Sequence, residues 1–427
     1  MPVSDIRDAL RHRQAAYQPA PGAFDRLVRR RHRKQRAKRL SSVAVALVIF
    51  GATLWVFLLP LSGLKHRSAA PRIDRSTVSG LGVAWTAGVG DAPTTPVVYD
   101  DRVFVGTGSG VLYALDARGG HVVWVGRLRG SIVSAPAILG DQVVVHTTSG
   151  VLAAFETGCG TRGTTCLPAW TAYTGDDIGS PPSAVDGVIY VNAGYDRMLA
   201  FEGCSSGPCD PAWIGRTQSY GQPQSPVAPA VADGSVWTVL GTDTVVFPKR
   251  CDRVCEPTQS QFAGSMSIGP VVGDRLVVLG SSTGYLYGFS VDCPGRCRAV
   301  WRARADAPTT PAVDDGVVFV SGAPEGGLAA VPERCRSAGA ACDPLWVGEI
   351  NGSPTSSVIT AAGVVYVGSS DGNLYAFPTA CDEACSPSSV VRVGSSIEGP
   401  AVWEGRALLV TAADGTVRAL TVAGVEP

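Results

Sequence analysis

The sequence predicts an all-β fold: an eight-bladed β-propeller whose last blade is closed by an N-terminal strand, preceded by one transmembrane helix. Three observations predict it. A pattern of four short strands recurs every 40–47 residues from residue 82 onward. All twelve cysteines fall into six close pairs at one fixed place in that pattern. One uncharged run, Leu40 to Leu64, separates a basic N-terminus from the repeats. The 51 Gly and 30 Pro supply turns, and Val and small residues dominate after residue 65, as strands require.

Residues 1–40 hold twelve Lys/Arg and three Asp/Glu, a net charge of about +9. Residues 65–427 hold the other 24 basic and 33 acidic residues, about −9, so the overall neutrality hides two opposed halves. The 25 uncharged residues from Leu40 exceed the roughly 20 that cross a hydrocarbon core. The preceding stretch, Arg26 to Arg39, has no acid, and dense Lys/Arg beside a span stays cytoplasmic. The expected layout is a basic cytoplasmic tail over 1–40, a transmembrane helix over 41–64, a linker over 65–80 and an extracytoplasmic propeller over 81–427. The chain is therefore expected to be a single-pass cell-membrane protein. A cleaved signal peptide is the alternative, with Ser68-Ala69-Ala70 as its site. Against it, the apolar run is longer than the usual roughly 7–15 residues, and Pro71 follows the site. Topology and anionic headgroups explain the basic run more simply than nucleic acid does, so no nucleic-acid partner is expected.

Each repeat opens on an anchoring proline, followed by an apolar strand and a turn such as Asp-Gly. A second strand such as Val-Phe-Val, a Gly-ended turn and a third strand such as Leu-Tyr-Ala-Phe come next, and then a strand carrying Trp. The anchors are Pro96, Pro136, Pro182, Pro229, Pro270, Pro311 and Pro400, with Val358 in the seventh place. Turns such as Asp371-Gly372 and Asp414-Gly415 suit tight hairpins that need positive φ. The last unit, Pro400 to Leu420, has only three strands. The segment Gly82-Val-Ala-Trp85-Thr-Ala-Gly matches the missing fourth and is expected to close blade eight, which removes an open sheet edge.

The cysteine pairs are Cys159/Cys166, Cys204/Cys209, Cys251/Cys255, Cys293/Cys297, Cys335/Cys342 and Cys381/Cys385. Each lies between the third strand and the Trp strand of blades two to seven. Blade one uses the turn Asp116 to Gly120 instead. Outside a membrane, close pairs favour disulfides. Zinc is the alternative, but it needs four ligands, and the pairs lie in different blades. Only His121 and His146 among the histidines fall in the repeats. No metal site is expected.

Two segments fit the Gly-x-Ser-x-Gly elbow of serine hydrolases: Gly280-Ser-Ser282-Thr-Gly284 and Gly368-Ser-Ser370-Asp-Gly372. That elbow requires a strand-to-helix turn, whereas both fall on a strand-to-strand turn of the repeat, so no catalytic residue is assigned. Asn351-Gly-Ser353 matches a glycosylation sequon and reads as a turn.

The segment Ala114-Leu-Asp116-Ala-Arg-Gly-Gly120-His-Val-Val-Trp124 resembles the tryptophan-docking motif of pyrroloquinoline-quinone (PQQ) propeller repeats, Ala-x-Asp-x-x-x-Gly-x-x-x-Trp. The resemblance covers residues 82–424. It implies that the indoles of Trp85, Trp124, Trp170, Trp213, Trp301 and Trp346 pack between neighbouring blades. The same register holds Gln259 and Ser389 in blades four and seven, leaving two gaps. The family includes quinoprotein dehydrogenases, which hold quinone and calcium on the axis, and cofactor-free binders such as BamB-like assembly proteins. This chain resembles the second group: it has no adjacent cysteines and no Cys-x-x-Cys-His haem site. No cofactor is expected, and PQQ is disfavoured.

Propellers bind on the face lined by loops entering the innermost strands. Here Asp91-Ala-Pro-Thr-Thr-Pro96 recurs identically as Asp306-Ala-Pro-Thr-Thr-Pro311. The candidate rim residues are Asp91, Thr94, Thr95, Asp176, Asp306, Thr309, Thr310 and Glu398. Asp177, Ser180, Ser265, Ser267, Asn351 and Ser353 lie in equivalent loops. Ordinary turn chemistry is the competing explanation for these residues. The expected function is a non-catalytic binding or scaffold module in the cell envelope, recognising a protein, peptide or cell-wall ligand. A PQQ-dependent oxidoreductase and an envelope sensor signalling through the short tail are the alternatives.

Overall fold

The computed structural model describes residues 72–422, except 162, 176–179, 219–226, 262–265, 293–296, 307, 323–326, 335–340 and 404–405. The expected tail and transmembrane helix lie outside the described residues. Among those residues no helix is long and apolar enough to cross a membrane.

The chain forms eight sheets, each with four antiparallel core strands, which in blades one to seven run from inner to outer along the sequence. Blade one shows the plan: Val97–Tyr99, Arg102–Gly106, Val111–Asp116 and Val122–Arg127. The middle strands read as continuous apolar runs because both their faces meet neighbouring blades; Val103, Phe104 and Val105 have no exposed surface. The inner hairpins turn through Asp186-Gly187, Asp233-Gly234 and Asp315-Gly316, with φ of 50° and 83°, 42° and 76°, and 47° and 72°. Positive φ at both positions matches the right-handed twist of the flanking strands.

Blade eight closes as the sequence predicts. Leu81–Gly88 lies antiparallel to Thr416–Val422, in register from Leu81 opposite Val422 to Gly88 opposite Thr416. The apolar interior is divided into eight clusters of buried residues, one at each seam between adjacent blades.

The tryptophans dock across those seams. The indole N–H of Trp85, Trp124, Trp301 and Trp346 donates to the carbonyl of Ala117, Thr157, Pro332 and Thr379, each in the next blade, at 3.0, 3.1, 2.8 and 3.2 Å. Trp170 donates instead to Gln142 Oε1 at 2.9 Å. Gly120 must be glycine: its φ is +68°, and a Cβ there would come within 2.4 Å of the Trp85 ring. The two gaps are filled by other means. At the seam of blades four and five, Trp237 from a second strand packs 6.1 Å from Phe289. At the seam of blades seven and eight, Tyr366 is joined by Ile73 and Val78. Residues 72–80, expected as linker, thus pack into the propeller, with Val78–Gly80 forming a 3-10 turn. An apolar slot without a tryptophan was the reason for that segment to fold.

Four disulfides are in place, Cys159–Cys166, Cys204–Cys209, Cys251–Cys255 and Cys381–Cys385, with Cα separations of 6.2, 5.8, 6.0 and 5.6 Å. Cys297 and Cys342 are also disulfide-bonded, and Cys293 and Cys335 lie outside the described residues. Each clamped loop does more than staple itself. In the loops of blades two, three, four and seven the last residues form a short parallel fifth strand on the outer edge of the preceding blade. Thr164–Cys166 adds to blade one, Gly207–Pro208 to blade two, Arg253–Cys255 to blade three and Ala384–Cys385 to blade six. The second cysteine packs into the preceding blade's tryptophan cluster, as Cys166 does with Trp124 and Cys385 with Trp346.

Candidate binding rim

The loops entering the inner strands and the turns between second and third strands come together on one face. Gly108 N–H donates to Asp91 O at 3.2 Å, Thr148 N–H to Ser131 O at 2.9 Å and Ser370 N–H to Ser353 O at 2.8 Å. The candidate rim residues lie on these loops, and they divide into two kinds.

The hydroxyls two places before the anchors are structural. Thr94 Oγ1 accepts from Gly106 N–H at 3.0 Å, Ser180 Oγ from Asn192 N–H at 3.0 Å and Ser356 Oγ from Gly368 N–H at 2.7 Å. Thr309 Oγ1 bonds Ser321 Oγ at 2.6 Å. The first three tie the incoming loop to the end of the second strand, where a buried backbone N–H needs a partner, and Thr309 reaches the same point through the Ser321 hydroxyl, which also accepts Thr309 N–H at 3.1 Å. Thr94, 7 % exposed, is therefore not a ligand-facing residue, which corrects the expectation from sequence. Thr309 is half-buried and its hydroxyl is engaged in the same latch. Thr95 is half-buried against blade eight: a Cβ on Gly399 would come within 2.2 Å of its Oγ1. Thr310 is exposed, and its carbonyl accepts Val358 N–H at 2.9 Å.

The carboxylates remain available. Asp91 and Glu398 are exposed. Asp306 is exposed as well and accepts from Arg304 Nε at 3.0 Å; that bond, with the attraction between the charges, raises the pKa of Arg304. Asp176, Asp177 and Ser265 lie outside the described residues. Asn351 and Ser353 are exposed, and Asn351 N–H donates to Tyr375 Oη at 3.3 Å. Tyr375 in turn donates to Asp371 Oδ2 at 2.7 Å.

Two features escaped the sequence reading. Buried His146 crosses a seam: Nδ1 lies 3.0 Å from Ser180 O and Nε2 lies 3.0 Å from Thr174 Oγ1. The carbonyl can only accept, so Nδ1 carries a proton. Asn192 sits ten residues after its anchor, as His146 does; its amide bonds Val227 O at 3.0 Å, and its oxygen accepts from Thr238 Oγ1 at 2.9 Å. Aligning the repeats column by column would have exposed this position. On the opposite face, Tyr99, Asp100, Asp101, Arg102, Asp116, Thr157 and Gly158 line a polar cavity of about 640 Å³. At the seam of blades three and four, Lys249 pairs with Asp186 of the preceding blade, and that hydrogen bond lowers the aspartate pKa. Among the described residues no group of three or more His, Cys, Asp or Glu is arranged to hold a metal ion.

Residues 50–383 match the family described as outer membrane protein assembly factor BamB. Similar solved structures include the quinohemoprotein alcohol dehydrogenase of Comamonas testosteroni, at 13 % identity and a TM-score of 0.63, covering 83 % of this chain and 79 % of that one. The quinohemoprotein alcohol dehydrogenase ADHIIG of Pseudomonas putida HK5 aligns at 14 % identity and a TM-score of 0.58, covering 84 % and 79 %. The computationally designed Ika8 protein aligns at 13 % and 0.62, covering 79 % and 99 %. At such identities the likeness establishes the fold alone. No curated protein matches the chain.

Proposed function

The chain belongs to the family of the outer membrane protein assembly factor BamB, and on that premise we propose that it is a non-catalytic, membrane-anchored propeller of the cell envelope that binds a protein or peptide ligand at its rim. The observation that carries this reading is the division of labour on the rim face. The hydroxyls are locked within their own blades, while Asp91 and Asp306 stand exposed on loops held by those latches and Glu398 stands exposed at the start of the inner strand of blade eight. A rigid frame presenting carboxylates recognises groups that donate hydrogen bonds or carry positive charge, at little ordering cost. The anchor rests on the uncharged run from Leu40 to Leu64 and its basic flank.

The test is the triple variant Asp91→Asn, Asp306→Asn and Glu398→Gln. Binding of the full chain to purified envelope fractions is expected to fall about tenfold or more, as loss of several charge-assisted contacts implies. Unchanged binding removes the rim. Titration of the same chain with the quinone and calcium, followed by absorbance, separates the oxidoreductase alternative: a saturable spectral change would favour it.

A further inference from the structure

We propose that the outer edge of the closing strand, Leu81–Gly88, is a docking site for an extended segment of a protein partner, which adds to blade eight as a parallel strand.

The molecule supplies its own precedent. Blades one, two, three and six each carry a parallel fifth strand on the outer edge, given by the disulfide loop of the following blade. The blade that follows blade eight is blade one, and its tight Asp116-to-Gly120 turn has no such loop. Among the described residues, the outer edge of Leu81–Gly88 consequently has no partner strand.

The nearest parallel is the outer strand of blade one. Its ladder shifts register one residue before the tryptophan, at Val123. The closing strand shifts at the same place, at Ala84 before Trp85. That shift does not prevent pairing, since Thr164–Cys166 lies along Trp124, Val125 and Gly126. Three bonds show which groups face outward. Gly163 N–H donates to Val123 O at 2.9 Å, Cys209 N–H to Thr171 O at 2.8 Å, and Val347 N–H to Glu383 O at 3.1 Å. Transferred to the same register on the closing strand, the outward groups are Ala84 O and both the N–H and O of Thr86.

A second, independent observation is the state of the indole. Trp124, Trp170, Trp213, Trp301 and Trp346 are at most 5 % exposed, whereas Trp85 is only half-buried. Val83 beside it is 46 % exposed. Where a fifth strand is present, its cysteine packs into the tryptophan cluster; among the described residues no cysteine does so at Trp85, whose ring instead meets Gly120 of blade one. The strand also carries no charge and no proline, the usual guards of an open edge.

The precedent also selects the occupant. A two-fold axis would pair two copies of this strand antiparallel, whereas all four filled edges are parallel pairs. The inserted segments, Thr-Thr-Cys, Gly-Pro, Arg-Val-Cys and Ala-Cys, are mostly small or β-branched. The partner segment has that chemistry, and strand addition supplies its main-chain bonds. The inference rests on the reading of the chain as a binding module but uses a different surface from the rim.

The test places a photo-crosslinking benzoylphenylalanine at Val83 or at Thr86 of the full chain in its native membrane. The control is Val125, whose neighbouring edge is already filled. Both sites are expected to link to one segment of one partner, with the Thr86 link lying C-terminal to the Val83 link. Thr86→Pro, which deletes the outward N–H and leaves the pairing to Thr416–Val422 intact, is expected to abolish the Val83 link. Links in the reverse order, links only to a second copy, or yields no higher than at Val125 would overturn the proposal. The rim triple variant is expected to keep these links. Their absence alongside intact rim binding counts against the edge alone, and their presence alongside failed rim variants counts against the rim alone.

Discussion

Glu333 shows how one side chain decides a seam. It closes the third strand of blade six and aims at the inner hairpin of blade five, where a Cβ on Gly273 would come within 2.1 Å of its Oε1. Burial pushes its pKa up and nearby Asp274 adds to the shift, against the backbone N–H groups of Arg275 and Leu276. Oε1 is buried without a hydrogen-bond partner. Lys249 holds the same column in blade four and pairs with Asp186 instead. Because the folded state raises the Glu333 pKa, it holds the proton more tightly than the unfolded chain does. The favourable term is complete below the unfolded value and disappears as pH rises through the folded one. Glu333→Gln is expected to gain stability relative to the parent as pH goes from about 4 to about 7, measured by denaturant unfolding. An equal difference at both ends would contradict the assignment. At this scale the sequence was only partly legible. Thr94 and Thr309 stood out by their repetition, but a hydroxyl that latches a loop and one that meets a ligand look alike in a turn.

At the scale of elements, the blade strands were readable because alternating turn signals and apolar runs recur with a fixed period. The fifth strands were not. Two or three residues such as Gly207–Pro208 carry no periodicity, and the neighbouring blade imposes their conformation. The cysteine spacing located the clamped loop but not where its far end would lie. Replacing Cys159 and Cys166 by serine is expected to cost about 2–3 kcal/mol, from loop-closure entropy for a loop of this length. It is also expected to free the outward amide of Val125 and the amides of Thr164–Cys166 to exchange with solvent. Exchange unchanged at those amides would show that the fifth strand holds without its clamp.

For the whole molecule, stability is distributed over eight seams in a ring, so weakening one seam weakens the closure. The seam between blades seven and eight depends on Ile73, only 3 % exposed, which lies before the first propeller strand. Ile73→Ala is expected to cost about 2–4 kcal/mol, read as a lower denaturation midpoint with the slope preserved. A loss within a few tenths of a kcal/mol would mean the plug is dispensable. Ring closure was legible because the final repeat is one strand short. The plug was not, because its need arises from Ser389, a residue some 310 positions away.

The pairing of Leu81–Gly88 with Thr416–Val422 sets a delay on biogenesis. The first strand of the ring emerges from the ribosome about 330 residues before its mate. At the usual 5–20 residues per second, it stays single for roughly 16–65 s. Throughout that interval an uncharged, tryptophan-bearing ribbon is open along both sides. Nascent chains are therefore most vulnerable to mispairing at their oldest strand, and a chaperone that shields newly made protein would find its best target there.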